Sequence, residues 1–345
     1  MNHMMIENAR VLNEAIKYSI RGEFDEAERI LRSAKEPSPH VLFNLGWYDL
    51  MHGHFKKGFE GLNMGRWISV FGDPVQLHNI PLPRPTDSVD GKELLFHCEG
   101  GFGDEIANIR FVAPFIERGA NVTIGCSKPL MKLFATKFSS CKFAERGKYD
   151  GMEFDYWVPA MSAPTVLDME YENLSGKPYL HSPSWASDAW SNRVQEHRDG
   201  KHFNVAFKWS GNPQFEHEQH RLFPKEMMLD LAKDKRLKAW SLQKEFDDSG
   251  LPRLGMADFA QTASELSKID LVITSCSSTA HLSGALGKET WVIVPTLPYY
   301  TWALPGDTSP WYDSVKLFRQ TEYGSWEEPF ERIATKLSEV LYRDV

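Results

Sequence analysis

The residues best suited to chemistry begin where an apolar run ends. Leu271, Val272, Ile273 and Thr274 read as a strand covered on both faces, as in a parallel sheet. Ser275, Cys276, Ser277 and Ser278 follow as a turn rich in small hydroxyls, and a helix is expected from Thr279 to Leu286, with His281 inside it. Ser and Thr are good N-cap residues. The free N–H groups there, at the positive end of the helix dipole, either form an anion site suited to phosphate or close an ordinary βα turn.

Three other stretches offer functional side chains. EGGFGDEI (99–106) follows a strand and opens a helix; Gly100, Gly101 and Gly103 let backbone approach a ligand closely. Its Asp104 reads either as an N-terminal carboxylate favoured by the dipole or as a general base taking a proton from a hydroxyl. The glycines do not match G-x-G-x-x-G, which argues against a dinucleotide dehydrogenase. In FKWSGNP (207–213), Lys208, Gly211 and Asn212 end a strand and enter a polar loop through Glu216, His217, Glu218 and His220 to Arg221. The His and Glu spacing is not a known ligand pattern, so a solvated loop is expected. Arg221, ahead of a helix, either grips phosphate bidentately or lies on the surface. Gln243, in SLQK (241–244), has donors and acceptors for a base or ribose edge.

The elements around these stretches alternate strand and helix from Lys92 onward. Strands are expected at 94–97, 122–124, 156–158, 205–207, 239–242, 271–273, 291–294 and 315–317. Helices are expected at 128–138, 224–233, 259–266 and 279–286, and an amphipathic helix at 326–341 carries Phe330, Ile333, Leu337 and Leu341 on one face. Such alternation argues for parallel sheets with helices on both faces. Residues 162–201 show weak periodicity and read as loops, a short helix and a crossover. The first 70 residues are helical. GEFDEA at Gly22 returns as GHFKKG at Gly53, close to the period of a tetratricopeptide repeat, so either two degenerate repeats or a plain helical layer stands here, docked on the next domain. Trp47, Tyr48, Phe59 and Trp67 are expected in the core or at that docking face.

Of the 345 residues, 42% are hydrophobic and 25% charged, as in a soluble globular protein of two or three domains. The net charge of −8 argues against a general nucleic-acid binder. No stretch approaches the ~18 apolar residues of a membrane span. The polar start runs straight into helical pattern, so no signal peptide is expected. Cys98, Cys126, Cys141 and Cys276 show no metal spacing and read as small core residues in a reducing cytoplasm.

In order and spacing, GHFKKGFEGLNMGRW, EGGFGDEI, KWSGNP, SLQK, DFAQTASEL, HLSGALGK and SPWYDSVKLFRQ resemble the glycosyltransferases fused to tetratricopeptide repeats, relatives of the lipopolysaccharide heptosyltransferases, from Leu42 to Leu341. The resemblance implies an α/β, GT-B-like fold: two Rossmann-like domains facing a cleft, preceded by a small all-α tetratricopeptide-like helical region. On that pattern 1–71 is the helical region, 72–91 a linker, 92–200 the acceptor-side domain, 201–325 the nucleotide-sugar domain and 326–345 a C-terminal helix.

Carried over residue by residue, the resemblance makes Asp104 the catalytic base. Lys208, Arg221, Gln243, Ser277, Ser278, Thr279 and His281 become donor-binding, and Gly101, Gly103, Gly211 and Asn212 become cleft backbone. It implies no cofactor and no metal, with a nucleotide-diphospho-sugar as co-substrate and a glycan, lipid or protein as acceptor. Peptide or protein contact through the repeats is also implied. Three departures stand out: Cys276 where relatives carry Asp, Gly100 where they carry Gln, and Thr301 where an Arg is expected. They leave open a non-catalytic scaffold and, beyond it, a nucleotide-sugar epimerase.

Overall fold

A computed structural model describes residues 3–71, 77, 79–183, 202–215, 217–244 and 246–343. The crossover expected up to residue 201, from 184 onward, lies outside the described residues, as do Glu216 and positions 72–76 and 78 of the expected linker. The chain forms two compact units. The first is Met1–Ser175 with Tyr299–Pro305, and the second is Gly176–Pro298 with Gly306–Val345.

The first unit opens with a helical layer: α1 (His3–Ile20), α2 (Phe24–Arg32), α3 (Pro39–Met51) and α4 (Phe55–Leu62). The turns before α2 and α4 carry Gly22 and Gly53 at φ 79° and 85°, a left-handed conformation that favours glycine. The glycines of the sequence repeat thus mark equivalent turns. Val11, Ala15, Ala27, Ile30, Leu31, Val41 and Tyr48 form the layer's core, and the Ser19 and Tyr48 hydroxyls bond at 2.7 Å inside it. Phe59 is also buried, but Trp67 is 69% exposed, against the core expectation. The chain at Asn63–Ile68 winds as a 3₁₀ turn, so a face read at 3.6 residues per turn does not carry through it.

The layer docks on the α/β part of the same unit. Phe55 packs edge-on to Tyr171 at 4.6 Å between ring centroids. Arg66 forms a two-pronged bond with the buried Glu99, at 2.9 and 3.0 Å. The α/β part holds four parallel strands, β1 (Glu93–His97), β2 (Asn121–Cys126), β3 (Lys142–Glu145) and β4 (Tyr156–Pro159), in the order β3-β2-β1-β4. Helices α5 (Phe102–Asn108), α6 (Ala113–Glu117), α7 (Lys128–Lys137) and α8 (Ala163–Val166) connect or follow them. The edge strand β3 was not among the expected strands; only Ala144 of its four residues is buried, so it lacks an apolar run.

The second unit holds β5 (Phe203–Lys208), β6 (Leu237–Ser241), β7 (Leu271–Ser275), β8 (Thr290–Val294) and β9 (Val315–Arg319), all parallel, in the order β6-β5-β7-β8-β9. Its helices are α9 (Glu218–Arg221), α10 (Lys225–Leu231), α11 (Phe259–Leu266), α12 (Ser278–Ala285) and α13 (Glu327–Arg343). Phe330, Ile333, Leu337 and Leu341 of α13 are buried in one core with Trp291, Phe318 and Phe223. The strand order reverses between β1 and β4 in the first sheet and between β5 and β7 in the second. In open parallel sheets ligands bind at such reversals, outside the carboxyl ends of the strands.

No helix among the described residues is long and apolar enough to cross a membrane.

Candidate functional site

The reversal in the second sheet gathers several of the expected residues. Lys208 ends β5 and is buried. Beyond it the Gly211 N–H donates to Glu218 Oε1 at 2.8 Å. A Cβ on Gly211 would stand 2.3 Å from a guanidinium nitrogen of Arg221, so a side chain there would push the guanidinium from its place. Arg221 closes α9, pairs with Glu218, donates to the Cys276 carbonyl and lies over the Phe215 ring at 4.7 Å. Within the loop expected to be solvated, Glu218–Arg221 form one helical turn and Glu218 is buried, while Gln219 stays exposed. Tertiary contacts with Gly211 and Cys276 form that turn where apolar periodicity does not.

Cys276 sits in the β7–α12 turn. Ser277 is the N-cap of α12 with extended backbone, but its side chain does not cap the helix; its hydroxyl lies 3.4 Å from that of Thr274. Neighbouring Ser275 has a buried hydroxyl with no hydrogen-bond partner among the described residues. Buried hydroxyls ordinarily find a partner, from protein, water or ligand. Ser278 and Thr279 open the helix, Thr279 buried and Ser278 half-buried. Lys208, Gly211, Arg221 and Ser277–Thr279 thus all stand at the ends of β5 and β7, with Arg221 bridging the two loops.

Three other expected residues have different surroundings. Gln243 is buried; its Oε1 accepts from Ser210 N at 3.3 Å and its Nε2 donates to Ser210 Oγ at 2.6 Å. It braces the loop after β5. His281 is 3% exposed, with Nδ1 at 2.9 Å from Tyr312 Oη. A Cβ on Gly284 would meet the Tyr312 ring at 2.6 Å, so that glycine makes room for this pairing. Asn212 closes a local turn through Gln214 N.

In the first unit, β1 leads into the glycine turn. Gly100 has φ 71°, and a Cβ there would stand 2.6 Å from Asp104 Oδ2, which accounts for glycine at this position. Gly101 is the N-cap of α5, and its N–H donates to Asp104 Oδ2 at 2.9 Å, the backward half of a capping box. Gly103 lies inside α5. Asp104 is 7% exposed, and its Oδ1 accepts from the Tyr299 hydroxyl at 2.7 Å. Burial raises its pKa; the bonds from Tyr299 and Gly101 oppose the rise. Burial likewise raises Glu105, which is held by Ser127 and by Arg146 at 3.0 Å.

Tyr299, Arg66 and Arg146 were not singled out from sequence, and Glu218 was read only as part of a solvated loop. Each acts through a partner distant in the chain or through a short turn without periodicity. The one available signal is that Tyr299 and Tyr300 adjoin the Thr301 departure. Among the described residues, no group of three or more His, Cys, Asp or Glu side chains is arranged to hold a metal ion.

No protein-family model matches the chain. An 82-residue stretch is 34% identical to Protein FlbA of Caulobacter vibrioides; it makes up 24% of this chain and spans 13% of that protein's length. The glycosyl transferase family 9 structure from Veillonella parvula DSM 2008 superposes with a TM-score of 0.51 at 10% identity, over 75% of this chain and 99% of that one. The E. coli ADP-heptose lps heptosyltransferase II superposes with a TM-score of 0.50 at 10% identity, over 73% and 99%. At that identity the likeness is one of fold: an α/β chain with parallel sheets, of the GT-B-like kind those neighbours have.

Proposed function

We propose that the chain is a glycosyltransferase that moves a sugar from a nucleotide-diphospho-sugar to a hydroxyl of a glycan, lipid or protein. The observation that carries this reading is Arg221. It is braced by Glu218 and Phe215, and it reaches the carbonyl at the foot of α12 where the second sheet reverses. A fixed guanidinium beside a helix N-terminus suits a diphosphate. The fold shared with the family 9 glycosyl transferase and the heptosyltransferase supports the same reading.

In the transfer, a bond forms between the acceptor oxygen and the anomeric carbon as the sugar–phosphate bond breaks. The acceptor's proton passes to Asp104, and the electron pair leaves on the nucleoside diphosphate. Arg221, Lys208 and the first N–H groups of α12 offset the charge on the leaving group, so the reaction needs no metal ion. Gln243 acts on the donor side by bracing the loop after β5. The helical layer is read as two tetratricopeptide repeats that contact a peptide or protein. None of Cys98, Cys126, Cys141 and Cys276 is in a disulfide, which fits the reducing cytoplasm proposed for the chain.

The test is Asp104→Asn, assayed by release of nucleoside diphosphate from a panel of nucleotide sugars. General-base loss should lower turnover by about 10²–10⁴-fold with donor binding kept. Loss of binding along with turnover would remove Asp104 from the chemistry. A second reading, a non-catalytic binding or scaffold protein whose repeats hold a peptide, is favoured by the Cys276 and Thr301 departures from the resembled pattern. Failure to bind any nucleotide, together with tight peptide binding, would select it.

A further inference from the structure

Tyr299–Pro305 lies in sequence between β8 and β9 of the second sheet, yet it belongs to the first unit. It engages α5 with two successive hydroxyls. Tyr299 donates to Asp104 Oδ1 at 2.7 Å, and Tyr300 accepts from Asn108 Nδ2 at 2.9 Å. Asp104 and Asn108 are four apart and share one face of α5. Tyr300 also packs edge-on to Phe59 of the helical layer, at 5.9 Å. Tyr299 and Tyr300 therefore meet the face of α5 that carries Asp104.

Resting on the glycosyltransferase reading, we propose that Tyr299 is a positioning residue for Asp104, its hydroxyl fixing the orientation of the carboxylate that receives the acceptor's proton. The opposite oxygen is already held by Gly101 N–H. Held on both oxygens, the carboxylate is restrained from turning, and the Tyr300 hydroxyl is also directed at it. The groups around Asp104 are the Tyr299 and Tyr300 hydroxyls, the Gly101 N–H and the neighbouring Glu105 carboxylate. Glu105 is occupied by Arg146 and Ser127, and Glu99 nearby by Arg66.

Tyr299→Phe keeps the ring and removes the hydroxyl. Because the Tyr299 bond favours the ionised carboxylate against burial, its loss should raise the pKa of Asp104. The acid limb of the pH–rate profile should then move up by about one pH unit. A second readout does not need activity. A carboxylate with a raised folded pKa makes the protein lose stability as pH rises from its unfolded value through the folded one. The upper end of that window should move up by the same amount in Tyr299→Phe, deepening the loss, and the loss should vanish in Asp104→Asn, with or without the Tyr299 change. Tyr48→Phe, which removes a buried hydroxyl bonded to Ser19 in the helical layer, is the control and should move neither. If Tyr299→Phe leaves both readouts in place, or if Tyr48→Phe moves them as far, the assignment is overturned. If neither the wild type nor any variant transfers sugar but the upper end of the stability window moves, the Tyr299–Asp104 coupling stands and the glycosyltransferase reading falls.

Discussion

Glu99, Asp104 and Glu105 crowd one turn, and all three are buried, yet their partners differ. Glu99 is clamped by Arg66 and Glu105 by Arg146, whereas Asp104 is held by a hydroxyl and a peptide N–H. A carboxylate clamped by a guanidinium is a poor proton acceptor; one held by neutral donors in a buried turn is a better one. That contrast is what supports Asp104, rather than Glu99 or Glu105, as the proposed base. The same turn shapes His97, which ends β1. Burial first, then the charges of Arg146 and Arg66, push its pKa down to about 3. The unfolded chain binds a proton below about 6.5 that the folded chain refuses until about 3, so stability should fall as pH drops through that window. Between pH 6.5 and 4.5 this one group should cost about 2–3 kcal/mol. Chemical unfolding of the wild type and of His97→Gln at both pH values checks it; the variant should lose that much less. An equal loss in both would contradict it.

Among the elements, α3 and α4 show how small residues set a geometry. A Cβ on Gly61 would stand 2.4 Å from the Gly46 Cα, and one on Gly46 would stand 2.6 Å from the Gly58 carbonyl oxygen. The helices meet backbone to backbone, and backbone does not yield as a side chain does. Gly46→Ala should therefore destabilise the protein by about 1–3 kcal/mol in denaturant titration; unchanged stability would show that the contact is loose. The glycines of this pair were visible in sequence, but their crossing was not, since nothing local distinguishes a contact glycine from a turn glycine. Strands with buried apolar runs, such as β1, β5, β7 and β8, were legible for the opposite reason. The edge strand β3 and the single turn α9 were not, because an exposed edge and a turn fixed by Glu218 leave no periodic trace. In the site, Arg221 and the β7–α12 turn were legible as a cation ahead of a helix and a hydroxyl-rich helix start. Tyr299 was not, because its partner Asp104 is nearly two hundred positions away and an ordinary loop tyrosine looks the same.

Over the whole molecule, two parallel sheets each carry a reversal of strand order, and the candidate residues fall at the strand ends beside them. Asp104 belongs to the first unit, and Arg221 and the β7–α12 turn to the second. With a net charge of −8, the proposed diphosphate site depends on a local cation. The most direct test of the central claim is a thermal-unfolding screen against UDP, GDP, ADP, CMP and dTDP, run on the wild type and on Arg221→Ala. A nucleotide present at about 100 times its dissociation constant adds roughly 2.7 kcal/mol to the native state, a clear rise in melting temperature. The account predicts such a rise for at least one nucleotide in the wild type, lost in Arg221→Ala when that variant is compared with its own unliganded form. No rise with any of the five, or a rise that survives in Arg221→Ala, would contradict it.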